Sequence, residues 1–90
     1  MMGNEREKLL IEQINLYYLQ SFRMEPDLLT ESFLGIIGTL SQLQALSKAD
    51  QKKLNKRLND ILAAQGRRDF VSIRDTLWYE IKPLIMKYTA

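Results

Sequence analysis

The sequence contains neither cysteine nor histidine. Without cysteine there is no disulfide framework, no cysteine-ligated zinc or iron–sulfur centre, and no thiol nucleophile. Without histidine the usual general base and the commonest transition-metal ligand are also missing. Prolines and glycines are few, two and four in 90 residues, and alternation of apolar with polar residues is not seen. The longest uncharged stretch, Ser32 to Ser47, is too short and too polar for a membrane span. The Asn4-Glu5-Arg6-Glu7 start does not look like a secretory signal. Gly3 follows two methionines, whereas N-myristoylation needs glycine in second place. A cytoplasmic protein that does not enter membranes is therefore expected.

Catalytic patterns are equally sparse. No phosphate-binding glycine loop, serine elbow or calcium-loop pattern occurs. Asp69, Asp75 and Glu80 lack the i, i+3 or i, i+4 spacing of a helical metal motif. The expectation is a protein without enzymatic activity, cofactor or metal.

What remains is an ordinary globular composition, 46% hydrophobic and 27% charged. A mass of 10.6 kDa allows one domain, spanning 1–90, with a folded surface of about 5,500 Å². Apolar residues recur at spacings of three and four throughout, which predicts an all-α chain.

Four helices are expected, over about 5–24, 27–46, 48–65 and 69–88. The first has an Asn4 cap completed by Glu7 in the manner of a capping box, and a stripe of Leu10, Ile11, Ile14, Tyr17, Tyr18 and Phe22, with Met24 near its end. Glu25-Pro26-Asp27 breaks it, because the residue before proline is pushed out of the α region. In the second, Leu29, Phe33, Ile36, Leu40 and Leu43 form a heptad-type seam. Ser47 and Asp50 signal the start of the third, which runs through Leu54, Leu58, Ile61 and Leu62 to Gly66 at its C′ position. Asp69 caps the fourth, whose inner face is Phe70, Ile73, Leu77, Ile81, Leu84 and Tyr88, and Pro83 predicts a kink or an early stop. Short connections favour an up-down-up-down four-helix bundle. The alternative is a three-helix core with the first helix docked elsewhere or exchanged between subunits.

Charge is uneven. The net +2 of the chain arises from a surplus of five positive charges over residues 47–68. Lys52, Lys53, Lys56 and Arg57 share one arc of the third helix, and Arg67 and Arg68 follow its end. Such a cluster is able to contact phosphates of a nucleic acid. The plainer reading is the solvated face of an amphipathic helix whose late positive charge suits the helix dipole. No aromatic residue is interleaved with the cluster and no binding motif accompanies it, so nucleic acid is the less favoured partner. A membrane-surface role is weaker still, since the opposite face of that helix is needed for the core.

Gly35 and Gly38 lie inside the second helix, where each is unfavourable by about 1 kcal/mol relative to alanine. With Ser32, Thr39 and Gln42 they form a small, uncharged surface behind the seam. This is either a central helix contacted on two sides or a docking surface for a partner or a second copy. In the first helix Leu9, Leu16 and Leu19 point away from the main stripe. Either that helix is central in the bundle or Leu9 and Leu16 meet a partner. Arg74 falls at the edge of the fourth helix's apolar face, where it either forms a salt bridge or cation–π contact with Trp78, its i+4 neighbour, or binds a ligand anion.

The runs Leu58-Asn59-Asp60-Ile61-Leu62, Asp69-Phe70-Val71 and Asp75-Thr76-Leu77-Trp78-Tyr79-Glu80-Ile81-Lys82-Pro83-Leu84 resemble the C-terminal part of small, uncharacterised all-helical bacterial proteins. Those carry an Asp, an apolar spacer, a second Asp and a Leu-x-Tyr-Glu-x-x-Pro segment. The resemblance covers about a third of the chain and implies a helical hairpin in a bacterial cytoplasmic protein, without lending an activity. It implies a helix-capping role for Asp69, and Asp75, Tyr79, Glu80 and Pro83 match the polar and kinking positions. Trp78 departs from the pattern, which has a smaller or charged residue there.

Together these readings point to a protein-interaction module that self-associates or binds a partner helix through Leu9, Leu16, Gly35 and Gly38. The alternatives are nucleic-acid association through Lys52, Lys53, Lys56, Arg57, Arg67 and Arg68, or anion binding at Arg74.

Overall fold

A computed structural model describes residues 5–23, 25–43 and 46–89. The described residues are helical without strands: α1 (Glu5–Ser21), α2 (Pro26–Leu40), α3 (Lys48–Gly66), α4 (Phe70–Thr76) and α5 (Lys82–Met86). A π-helical turn (Leu77–Ile81) joins α4 to α5, so that residues 70–86 form one continuous fourth helix. The expected Asn4 cap and Met24 lie outside the described residues.

The turns follow from local chemistry. At the end of α1 the Ser21 hydroxyl donates to the Tyr18 carbonyl at 2.6 Å, and the chain tightens through Phe22 and Arg23. Glu25 is extended, as a residue before proline must be, and Pro26 opens α2 where its missing N–H has no helical partner to lose. Ser47 accepts from the Asp50 N–H at 3.2 Å to start α3. Asp69 accepts from the Ser72 N–H at 3.1 Å and from its hydroxyl at 2.6 Å to start α4.

Several boundaries differ from expectation, the first being the end of α1 at Ser21 rather than at about 24. The second helix ends at Leu40 rather than 46. Thr39 and Ser41 turn their hydroxyls back onto the carbonyls of Gly35 and Gly38, which supports an exit there, and Leu43 stays buried although it has left the helix. At the end of α3 the left-handed residue is Arg68 (φ 56°), not Gly66. The Asp69 N–H reaches the Ala64 carbonyl and the Arg68 N–H reaches that of Gln65, the paired bonds of a Schellman motif, and this register places Gly66 inside the helix. Pro83 neither stops nor breaks the fourth helix. The turn before it widens instead, with the Lys82 N–H bonded to the Leu77 carbonyl five residues back.

Packing sets α1 against α2 on one side and against the fourth helix on the other, while α3 packs on the fourth helix. Two hydrogen bonds show α1 and α2 running antiparallel, and single polar contacts join the other neighbours. Arg6 donates to the Gln42 carbonyl while Ser32 donates to Gln20, Lys82 donates to Asn15, and Arg57 pairs with Glu80.

The core is built from Leu10, Ile14 and Tyr17 of α1, the whole expected seam of α2, Leu54, Ile61 and Ala64 of α3, and Phe70, Ile73, Leu77, Ile81, Leu84 and Ile85 of the fourth helix. Phe22 and Leu62, expected inside, are exposed: Phe22 lies past the last turn of α1, and Leu62 falls on the flank of α3 away from Leu54 and Ile61. Tyr88 is half-buried with its hydroxyl in a polar cluster. The folded surface is 5707 Å², close to the scaling expectation, so the exposed leucines of α1 do not reflect a loosely packed chain.

Candidate functional site

Along the seam between α1 and α2 runs an open groove of about 370 Å³, lined by Gln13, Leu16, Glu31, Ser32 and Gly35. Its two walls arise from different features of the sequence. Leu16 stands on α1 outside the Leu10, Ile14, Tyr17 stripe and is 51% exposed. Gly35 leaves the facing wall of α2 low: a Cβ placed there would have the Gln13 amide nitrogen as its neighbour at 3.4 Å, an ordinary contact. The Gln13 side-chain oxygen is buried without a hydrogen-bond partner among the described residues. Ser32 is tied across the seam to Gln20 at 2.6 Å, which fixes the two helices beside the groove.

Leu16 and Gly35, singled out separately in the sequence, are thus brought together. Leu9 is 47% exposed on the same helix but does not line the groove, and Gly38 faces open space, where a Cβ would meet nothing within 4 Å. Gln13 and Glu31 are groove residues that the sequence reading missed. Their positions, i−3 from Leu16 and i−4 from Gly35, carry the signal once α1 and α2 are known to face each other.

The basic arc is divided. Lys52, Lys53 and Lys56 are exposed, whereas Arg57 turns toward the fourth helix, pairing with Asp60 at 3.3 Å and Glu80 at 3.5 Å. Arg67 lies 3.8 Å from Asp69, and Arg68 is held in its left-handed turn. Arg57 is therefore engaged in joining two helices, while Lys52, Lys53, Lys56, Arg67 and Arg68 remain exposed.

Arg74 makes both a salt bridge and a cation–π contact, as one of its two expected readings had it, but the ring is Phe22 rather than Trp78. Its guanidinium lies 4.8 Å from the Phe22 ring centroid and 3.2 Å from the Asp75 carboxylate, not over Trp78. Both faces of Trp78 are already taken: Tyr18 stacks on one at 3.9 Å, and the Lys82 ammonium sits over the other at 3.7 Å. Tyr18 in turn meets Phe22 edge-on at 5.1 Å, and Lys82 donates to Asn15 at 2.7 Å. A ladder of three successive rings, Phe22, Tyr18 and Trp78, closed by the Arg74 cation at one end and the Lys82 cation at the other, thus fastens α1 and the turn after it to the fourth helix. The i, i+4 pairs Tyr18/Phe22 and Trp78/Lys82 are its visible sequence signal.

At the far end of the bundle, Tyr88 donates to Asp50 and Lys87 donates to the same carboxylate at 3.1 Å. The Tyr88 hydroxyl, with the Lys87 ammonium beside it, holds the Asp50 carboxyl below its ordinary range. The Ser72 side chain and N–H do the same for Asp69. Burial pushes the Tyr17 hydroxyl up to about 12. Among the described residues, no group of three or more carboxylates suited to a metal is found, and no helix is long and apolar enough to cross a membrane. In comparisons with known proteins, no family model, curated protein or solved structure matches the chain.

Proposed function

We propose that this protein is a non-enzymatic interaction module that receives a helix of another chain along the α1–α2 face, in the cytoplasmic setting expected from its sequence. The observation that carries this reading is the pairing of half-exposed Leu16 with Gly35 across an open groove. Leucine supplies apolar area that gains from being covered, at about 25 cal/mol per Å². Glycine keeps the opposite wall low enough for a helix to approach. Recognition of this kind uses an apolar stripe laid into a shallow channel.

Site-specific crosslinking tests the reading. A photoreactive residue at position 16 should give a discrete polypeptide adduct in cells, which fades when Gly35→Leu raises the groove wall. The same probe at Lys56 should give none. No adduct from position 16, or one insensitive to the substitution at Gly35, would refute the assignment.

A further inference from the structure

The back of α1 carries an ordered stripe. Glu12, Leu16 and Leu19 follow one another at spacings of four and three and so share one face of α1, and Arg23 follows four residues after Leu19, in the turn just past the helix end at Ser21. All four are exposed, Leu19 at 65%. Neither Glu12 nor Arg23 has an ion-pair partner among the described residues. The order acid, leucine, leucine, base has a specific property: reversed, it is its own complement. When a second α1 is laid antiparallel, with the two-fold axis between Leu16 and Leu19, Leu16 of each copy meets Leu19 of the other. The same rotation sets Glu12 opposite Arg23 twice.

We infer that the helix received on this face is α1 of a second copy, docked antiparallel about a two-fold axis, with two leucine layers closed at each end by a Glu12–Arg23 pair. This rests on the interaction-module reading and names its occupant. Isologous contact is the commonest way for a chain to pair with itself, and it requires a self-complementary patch. A parallel arrangement would oppose Glu12 to Glu12 and Arg23 to Arg23, so charge selects the antiparallel one. Gly35 lines the groove beside Leu16, with the Gln13 amide at 3.4 Å from where its Cβ would stand. The contact is narrow, so the dimer forms in the weaker range of specific association.

Sedimentation velocity from about 5 to 500 μM spans the association range expected of such a contact. The wild-type chain should pass from monomer to dimer across it. Glu12→Arg and Arg23→Glu should each weaken association about tenfold, because either change creates two like-charge pairs per dimer. An equimolar mixture of these two variants should regain it, since each hybrid pair is again opposite in sign. Because the chain has no cysteine, a Glu12→Cys chain mixed with an Arg23→Cys chain should form a hybrid disulfide more readily than either forms alone. Circular dichroism checks that each variant stays helical.

A chain that remains monomeric at the highest concentration overturns the inference, as does a dimer indifferent to both charge changes. The helix-receiving reading survives that failure if the position-16 probe still yields an adduct with a different polypeptide. It falls separately if that probe yields nothing.

Discussion

Tyr88 donates its hydroxyl proton to the carboxylate of Asp50 and accepts from the Ser47 N–H at 3.1 Å, pinning the end of the chain to the first turn of α3. With Lys87 added, an ionised Asp50 is favoured by folding. The folded carboxyl binds its proton less readily than the unfolded one, so this stabilisation is present above the ordinary carboxylate range and disappears as the pH falls through the lowered value. Asp69, lowered by Ser72, adds to the same trend. The melting temperature should fall on acidification from pH 5 toward pH 3. Asp50→Asn should lower it at pH 7 and flatten the acid limb, and equal acid slopes in both proteins would contradict the assignment.

Tyr17 predicts the opposite limb. Its ring is fully buried and its hydroxyl lacks a partner among the described residues. Between pH 10 and about 12 the unfolded chain releases this proton while the folded chain keeps it, so stability declines across that window. Tyr17→Phe removes a buried, unpaired polar group, which is unfavourable by about 1–3 kcal/mol. Equilibrium urea unfolding should show equal or greater stability at pH 7 and a shallower loss above pH 10. A strong destabilisation at pH 7 would mean that the hydroxyl is satisfied.

The Schellman turn supplies a paired prediction. Arg68 occupies a left-handed conformation that a side chain disfavours by about 1–2 kcal/mol. Gly66 is spent inside α3, where a Cβ would meet nothing within 4 Å. Arg68→Gly should therefore raise stability by about 1 kcal/mol, and Gly66→Ala by about 0.5–1 kcal/mol. Thermal unfolding of each single variant and of the pair decides this, and a loss on either substitution would argue for a different turn register.

Lys82 bridges Asn15 and the Trp78 ring. Lys82→Met keeps the stem that packs on the helix while removing the cation and the donor, and should lower stability by about 1 kcal/mol. Trp78 is the single tryptophan, so its emission reports the loss directly. Unchanged stability together with an unchanged spectrum would show that the ladder contributes nothing.

These cases mark how far the sequence could be read. The seam of Leu29, Phe33, Ile36, Leu40 and Leu43 was legible because heptad spacing allows it one burial pattern, and the caps Ser47 and Asp69 were legible because capping is local. Gly66 misled because helix ends are decided by which carbonyls the turn must satisfy, those of Ala64 and Gln65, rather than by where a glycine stands. The ladder and the engagement of Arg57 were hidden because both depend on how neighbouring helices align, which no single helix encodes. At the candidate site, Leu16 and Gly35 were each conspicuous alone. Their meeting across one groove required the register between α1 and α2.

That register separates the two glycines of α2, and their substitution gives the last test. Gly38 points into open space, so Gly38→Ala should stabilise the helix by about 1 kcal/mol. Gly35→Ala should gain a similar amount, its new carbon making an ordinary contact with the Gln13 amide at 3.4 Å. If both glycines served the chain's own packing alone, neither change would be noticed in association. With Gly35 in the groove wall, a bulky residue there should suppress the position-16 adduct while leaving the melting temperature near that of wild type, and the same residue at Gly38 should leave the adduct intact. Stability from calorimetry and adduct yield from crosslinking, measured on the same four proteins, separate each glycine's effect on the helix from its effect on a partner. Loss of the adduct on substitution at Gly38 but not at Gly35 would move the docking face to the outer surface of α2.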